Sequence, residues 1–96
     1  MLDLSQNRLN GILPESIGRL SLLDMLDISN NRLSGSIPDS LGSLLKLHNL
    51  NLSNNFLTGP IPYSLGGLSS ILWLDLSNNQ FVVGKFSALE GLIHTW

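Results

Sequence analysis

The 96-residue chain contains no cysteine, which excludes a disulfide framework, a thiolate metal site and a redox pair. The absence leaves the cellular compartment open. Charge is also scarce. Five Lys and Arg against seven Asp and Glu give a net charge of −2 with no basic patch. That balance argues against a nucleic-acid surface or an anionic-membrane surface. No run approaches the roughly 18 consecutive apolar residues of a membrane span, so this segment is not itself inserted in a bilayer. The opening Met1-Leu-Asp-Leu-Ser-Gln-Asn-Arg lacks the basic-then-apolar layout of a signal peptide. There is no His-Glu-x-x-His, no phosphate-cradling glycine loop and no nucleophile elbow. His48 and His94 stand apart from each other, and no serine has the base and orienter that activation requires. Neither catalysis nor a cofactor is supported.

What the chain does have is a repeat. Asn7, Asn31, Asn55 and Asn79 are each 24 residues apart, and at that offset Leu2, Leu26, Leu50 and Leu74 align. So do Leu4, Ile28, Leu52 and Leu76, then Leu9, Leu33, Leu57 and Phe81, with Leu89 and Leu92 keeping the register to the end. A unit this short cannot bury its own apolar face, so the units must stack into a solenoid. The pattern predicts a single domain over 1–96: a partial repeat 1–22, repeats 23–46 and 47–70, and a degenerate last repeat 71–96.

Each unit opens with period-two alternation, which separates the two faces of a strand. Leu47, Leu50, Leu52 and Asn55 fall on the inward side, and parallel stacking of such strands builds one curved sheet. Asn30-Asn31-Arg32, Asn54-Asn55-Phe56 and Asn78-Asn79-Gln80 mark the turn that follows, because Asn tolerates unusual backbone angles. Then come Gly11-Ile-Leu-Pro14, Gly35-Ser-Ile-Pro38 and Gly59-Pro-Ile-Pro62. In each the glycine bends the chain, the aliphatic residue packs inward and the proline holds an extended backbone. Ser40-Leu-Gly-Ser-Leu44 is too short for a stable helix and reads as one helical or 3₁₀ turn.

Leu47 through Leu57 satisfies L-x-x-L-x-L-x-x-N-x-L without a miss. With the Gly-x-Ile-Pro and Leu-Gly-x-Leu blocks, the unit resembles the plant-type leucine-rich-repeat proteins. That subclass forms the ectodomains of receptor-like kinases and receptor-like proteins, and also the polygalacturonase inhibitors. The resemblance implies an α/β solenoid: a right-handed superhelix with a parallel concave sheet and short helical or 3₁₀ turns on the convex side. It covers positions 2 to about 82. Two departures stand out. Met1 occupies the position of Met25 one unit later, so the chain opens partway through a strand. Val83-Gly84-Lys85-Phe86 stands where Gly-x-Ile-Pro is expected. Both suit a fragment of a longer array, and further repeats are expected upstream of Met1.

The asparagine ladder Asn7, Asn31, Asn55 and Asn79 reads as structural, its amides satisfying backbone groups that the tight turn leaves free. The outward strand positions are where such a solenoid binds ligands. They form the columns Met25, Asn49, Trp73; Asp27, Asn51, Asp75; and Ser29, Ser53, Ser77. Trp73 is the one large anchor among them. The aspartate column does not converge enough oxygens for a metal ion. Asn51-Leu52-Ser53 is the only N-x-S/T sequon, so Asn51 is a possible N-glycosylation site. Asn51, being solvated, is expected to tolerate alanine, and Asn55, being buried, is not.

The resemblance implies a recognition module, a fragment of a plant receptor ectodomain that binds a peptide, a small molecule or a co-receptor ectodomain through its concave face. The parent would lie on the extracellular face of the plasma membrane or be secreted. A secreted inhibitor of a wall-degrading hydrolase uses the same solenoid, and a receptor fragment without function is a third reading.

Overall fold

A computed structural model describes residues 1–82; Val83–Phe86, Leu89, Leu92, His94 and Trp96 lie outside them. In chain order the strands are β1 (Leu2–Asp3), β2 (Asn10–Ile12), β3 (Met25–Asp27), β4 (Arg32–Ser34), β5 (Asn49–Asn51), β6 (Thr58–Pro60), β7 (Trp73–Asp75) and β8 (Gln80–Val82). Between them lie 3₁₀ turns at Glu15–Arg19, Asp39–Ser43 and Tyr63–Gly67, each entered from an extended proline. The concave sheet is parallel in the order β1-β3-β5-β7, with Leu2, Leu26, Leu50 and Leu74 in register. Beneath it one apolar core runs through the rungs, carried by Leu26, Leu50 and Leu74 from the strands, Ile37 from the bend and Leu41 and Leu65 from the 3₁₀ turns.

A second parallel layer, absent from the sequence reading, follows the turn. Here β2 pairs with β4 and β6 with β8, and the pairing is Asn10↔Arg32 and Thr58↔Gln80, an offset of 22 residues where the concave sheet keeps 24. Equivalent positions are therefore two residues out of line, about 6–7 Å along the strand. Backbone bonds between rungs tie both layers. On the concave side Ile28 N–H donates forward to Asn51 O at 2.9 Å. On the flank Arg32 N–H donates back to Leu9 O at 2.7 Å.

The left-handed backbone of the turn falls on Asn30, Asn54 and Asn78, one residue before each ladder asparagine. Of the residues with a side chain, Asn is among those that visit this region most readily. Gly35 and Gly59 also lie in the left-handed region, at φ +76° and +77°, where a Cβ would be strained. On the convex side the Ser40 hydroxyl donates to Glu15 O at 2.7 Å and the Ser64 hydroxyl to Asp39 O at 2.8 Å, tying each 3₁₀ turn to the one before.

The first rung of this chain is open. Leu4, Leu9 and Leu20 are exposed beside a cleft of about 390 Å³, which Leu2, Leu13 and Ile17 also line. Strand β1 has a bonding partner on one side only. Unpaired edges and bare apolar ends invite association. The 96-residue polypeptide alone is therefore expected to self-associate in light scattering. A copy of residues 25–48 fused ahead of Met1 should reduce the association and raise the denaturation midpoint. A monodisperse monomer whose midpoint the extra rung leaves unmoved would contradict this.

Candidate recognition surface

The concave strip is assembled from the outward positions of β3, β5 and β7. Register places Met25, Asn49 and Trp73 side by side, and Asp27, Asn51 and Asp75 in the next column. Asn49 and Trp73 are exposed, while Met25, Asp27, Asn51, Asp75 and Ser77 are half-buried. Two residues expected on the outward face offer it almost no surface. Ser29 and Ser53 are only 4% exposed. Alternation ends with the strand, because the chain has begun the left-handed turn at Asn30 and Asn54, and this tucks the serine beneath it. Asp27 Oδ1 accepts from the Ser29 N–H at 3.0 Å and its hydroxyl at 2.6 Å, and Asn51 Oδ1 does the same for Ser53. Asp27 and Asn51 thus each close a turn with one oxygen. In the open first rung the same bonds, from the Ser5 hydroxyl foremost and then its N–H, hold the Asp3 carboxyl below the usual carboxylate range.

The asparagine ladder lies under this strip. Asn31 and Asn55 are buried, Asn79 is half-buried, and Asn7 is exposed where burial was expected. The difference follows from the bonding. Asn55 Oδ1 accepts from Leu33 N–H in the preceding rung at 3.1 Å, and its Nδ2 donates to Ile28 O there at 2.9 Å. Asn31 spans back in the same way to Leu9 N–H and Leu4 O. The Asn7 side chain bonds only within its own turn, to Leu4 O and Ser5 O, while its N–H donates to Asn31 Oδ1 at 3.0 Å. Among the described residues no buried side-chain nitrogen or oxygen lacks a partner.

Two exposed apolar residues escaped the sequence reading. Leu72 is 75% exposed beside Trp73, itself 46% exposed, and Phe56 is 54% exposed just past the turn. The repeat alignment carried the signal. Leu72 occupies the column of Asp24 and His48, and Phe56 that of Arg8, Arg32 and Gln80. Among the described residues no group of three or more His, Cys, Asp or Glu is placed to hold a metal ion, and no helix is long and apolar enough to cross a membrane. His48 is exposed, and its backbone accepts from Leu72 and Trp73 N–H while donating to Asp24 O.

The same architecture occurs in solved plant receptors. The chain is 51% identical to the crystal structure of PEPR1–AtPEP1 with a TM-score of 0.86, over 92% of this chain and 12% of that one. It is 47% identical to the ectodomain of the Arabidopsis receptor kinase HAESA, in complex with an extended IDA peptide hormone, with a TM-score of 0.81 over 83% of this chain and 14% of that one. It is 41% identical to the BIR3–SERK2 complex from Arabidopsis thaliana, with a TM-score of 0.80 over 82% of this chain and 43% of that one. The chain therefore spans less than half the length of these structures. No curated protein matches it. The Leucine Rich Repeat family model matches four times, at residues 1–20, 22–44, 46–68 and 70–92. With the ladder, the in-register concave sheet and the 3₁₀ turns, these matches establish that the chain belongs to the leucine-rich-repeat family, in the form found in plant receptor ectodomains.

Proposed function

We propose that this chain is a stretch of a plant receptor ectodomain, lying outside the cell, whose concave face recognises a peptide or protein ligand without catalysing a reaction. The observation that carries the reading is the exposed pair Leu72 and Trp73. They stand on a sheet whose rungs already bond to one another, so the outward side chains are what the face offers a partner. An indole with an apolar body and a polar edge is a favoured anchor. Asp75 on the same strand and Asn78 in the turn after it supply donors and acceptors that orient a ligand backbone. Among the similar structures the HAESA ectodomain is in complex with a peptide hormone ligand, and BIR3 is in complex with SERK2. That range supports a peptide or a co-receptor ectodomain as the class of partner here.

The test is selection of binders from a random-peptide display library on the immobilised chain. Trp73→Ala is expected to weaken the selected binders by about 30-fold, the loss of a hot spot worth about 2 kcal/mol. Tyr63→Ala, which removes an exposed aromatic from the convex side, should leave them unchanged. Binders indifferent to Trp73 but dependent on Tyr63 would overturn the assignment of the face.

A further inference from the structure

We infer that Asn51 is the acceptor of an N-linked glycan standing in the middle of the concave face, an assignment that rests on the extracellular reading above. The equivalent residues in the other rungs are Asp3, Asp27 and Asp75, so the third rung alone replaces the carboxylate by an amide. The fold does not need that exchange. Asn51 Oδ1 accepts from Ser53 N–H at 3.0 Å and from its hydroxyl at 2.6 Å; the corresponding bonds of Asp75 are 2.9 and 2.6 Å. The turn uses one oxygen, which carboxylate and carboxamide supply alike.

The nitrogen is left over. Asn31, Asn55 and Asn79 each commit Nδ2 to three backbone carbonyls, so their amides are consumed by the ladder. Among the described residues Asn51 Nδ2 donates to nothing. With Oδ1 held against Ser53, the nitrogen is turned away from the serine. Its neighbours in the sheet are Asp27 and Asp75, short side chains, and Asn51 keeps part of its surface exposed between them.

Transfer requires a lipid-linked oligosaccharide pyrophosphate as donor. The bond between Asn51 Nδ2 and the anomeric carbon forms as the anomeric carbon–pyrophosphate oxygen bond breaks. The lipid pyrophosphate leaves, and Nδ2 gives up one of its two protons to a base of the transferase. The product nitrogen keeps one proton, and Oδ1 keeps both bonds to Ser53, so the folded rung accepts the sugar unchanged. Burial also sets the order of events. Leu52 is fully buried and Ser53 nearly so, which hides two of the three sequon residues once β5 is in the sheet. The transferase must act on the chain before it folds. The glycan then covers the middle rung, so a ligand of this face approaches from the Leu72–Trp73 end.

The experiment is cell-free translation of the full chain behind a cleavable leader, with endoplasmic-reticulum microsomes and a reporter sequon appended after Trp96. The wild type and Ser53→Thr are expected to carry two glycosidase-sensitive glycans, and Asn51→Asp one. A glycosylated reporter beside a bare Asn51 overturns the assignment. Because the leader imposes translocation, that result counts against the site in whatever compartment the native protein resides. Recovery of the native protein from the cytosol would instead count against the ectodomain reading. In a second arm, solubilised transferase is offered the peptide 47–57 and the folded, unmodified chain. The peptide should be modified and the chain should not; equal modification of both would overturn the order of events.

Discussion

Replacing Asn55 by alanine is expected to lower the unfolding free energy by about 3 kcal/mol, since it removes four hydrogen bonds, each worth about 0.5–1.5 kcal/mol net, and strands one buried donor. The side chain accepts from the buried Leu33 N–H and donates to Ile28 O, Leu52 O and Ser53 O. Alanine leaves the Leu33 N–H without a partner and takes one of two bonds from Ile28 O, Leu52 O and Ser53 O, which keep those from Asn31 Nδ2, Asn79 Nδ2 and Asn30 N–H. Two of those groups, Leu33 N–H and Ile28 O, belong to the preceding rung, so the loss uncouples two units. Asn51→Ala provides the contrast, though it is not silent as the sequence alone suggests. It removes only two bonds, those from the N–H and hydroxyl of Ser53, at a cost of about 1–2 kcal/mol, and Asn51→Asp restores both. Denaturant midpoints in the order wild type and Asn51→Asp highest, Asn51→Ala lower and Asn55→Ala lowest are expected. Equal midpoints for Asn55→Ala and Asn51→Ala would contradict the buried ladder.

Gly42→Ala is expected to cost about 3 kcal/mol, at the upper end of what overpacking a tight site costs. A Cβ there would stand 2.4 Å from Ser64 O and 2.7 Å from the carbonyl carbon. Those are backbone atoms of the next 3₁₀ turn, and they cannot rotate out of the way. Relief requires the rungs to part, which pulls the Ser64 hydroxyl from Asp39 O. Gly67→Ala, one residue past the equivalent of Gly42, offers a control. Among the described residues the nearest atom to a Cβ there is Gly42 O at 3.9 Å, an ordinary contact, so the change should stay within about 0.5 kcal/mol. Thermal melts of the two variants separate close packing between rungs from any general effect of losing a glycine in a 3₁₀ turn. Equal melting temperatures would remove the inter-rung contact from the account.

The rungs themselves were legible because a solenoid writes its third dimension into the period of the chain. Leu26, Leu50 and Leu74 align at 24 residues in sequence and pair at that offset in the sheet. Asn31 and Asn55 read as ladder residues and are buried with the backbone partners that reading required. The candidate face was less legible. Ser29 and Ser53 follow the alternation of the strand on paper, yet the left-handed turn beside them ends the strand and buries them. Leu72 and Phe56 were hidden because apolar residues in a leucine-rich unit read as core. Only their columns, filled by polar residues in other rungs, mark them as exposed.

The sequence by itself determined the repeat, the inward ladder of leucines and asparagines, the parallel concave sheet and the 3₁₀ turns. Each follows from residue type and spacing within one unit, repeated. Only the tertiary structure decided how one unit sits on the next. The 22-residue offset of β2 on β4 and of β6 on β8 is a shear between neighbouring coils that no equivalence of positions encodes. The exposure of Asn7 depends on its rung being the first of this chain, because the groups an inner ladder asparagine bonds belong to the rung before it. The intolerance at Gly42 and the free nitrogen of Asn51 likewise depend on which atoms of other residues lie within a few ångströms. Short-range chemistry sets what each rung is, and contact between rungs, acting over distances that sequence separation does not measure, sets what each rung can do.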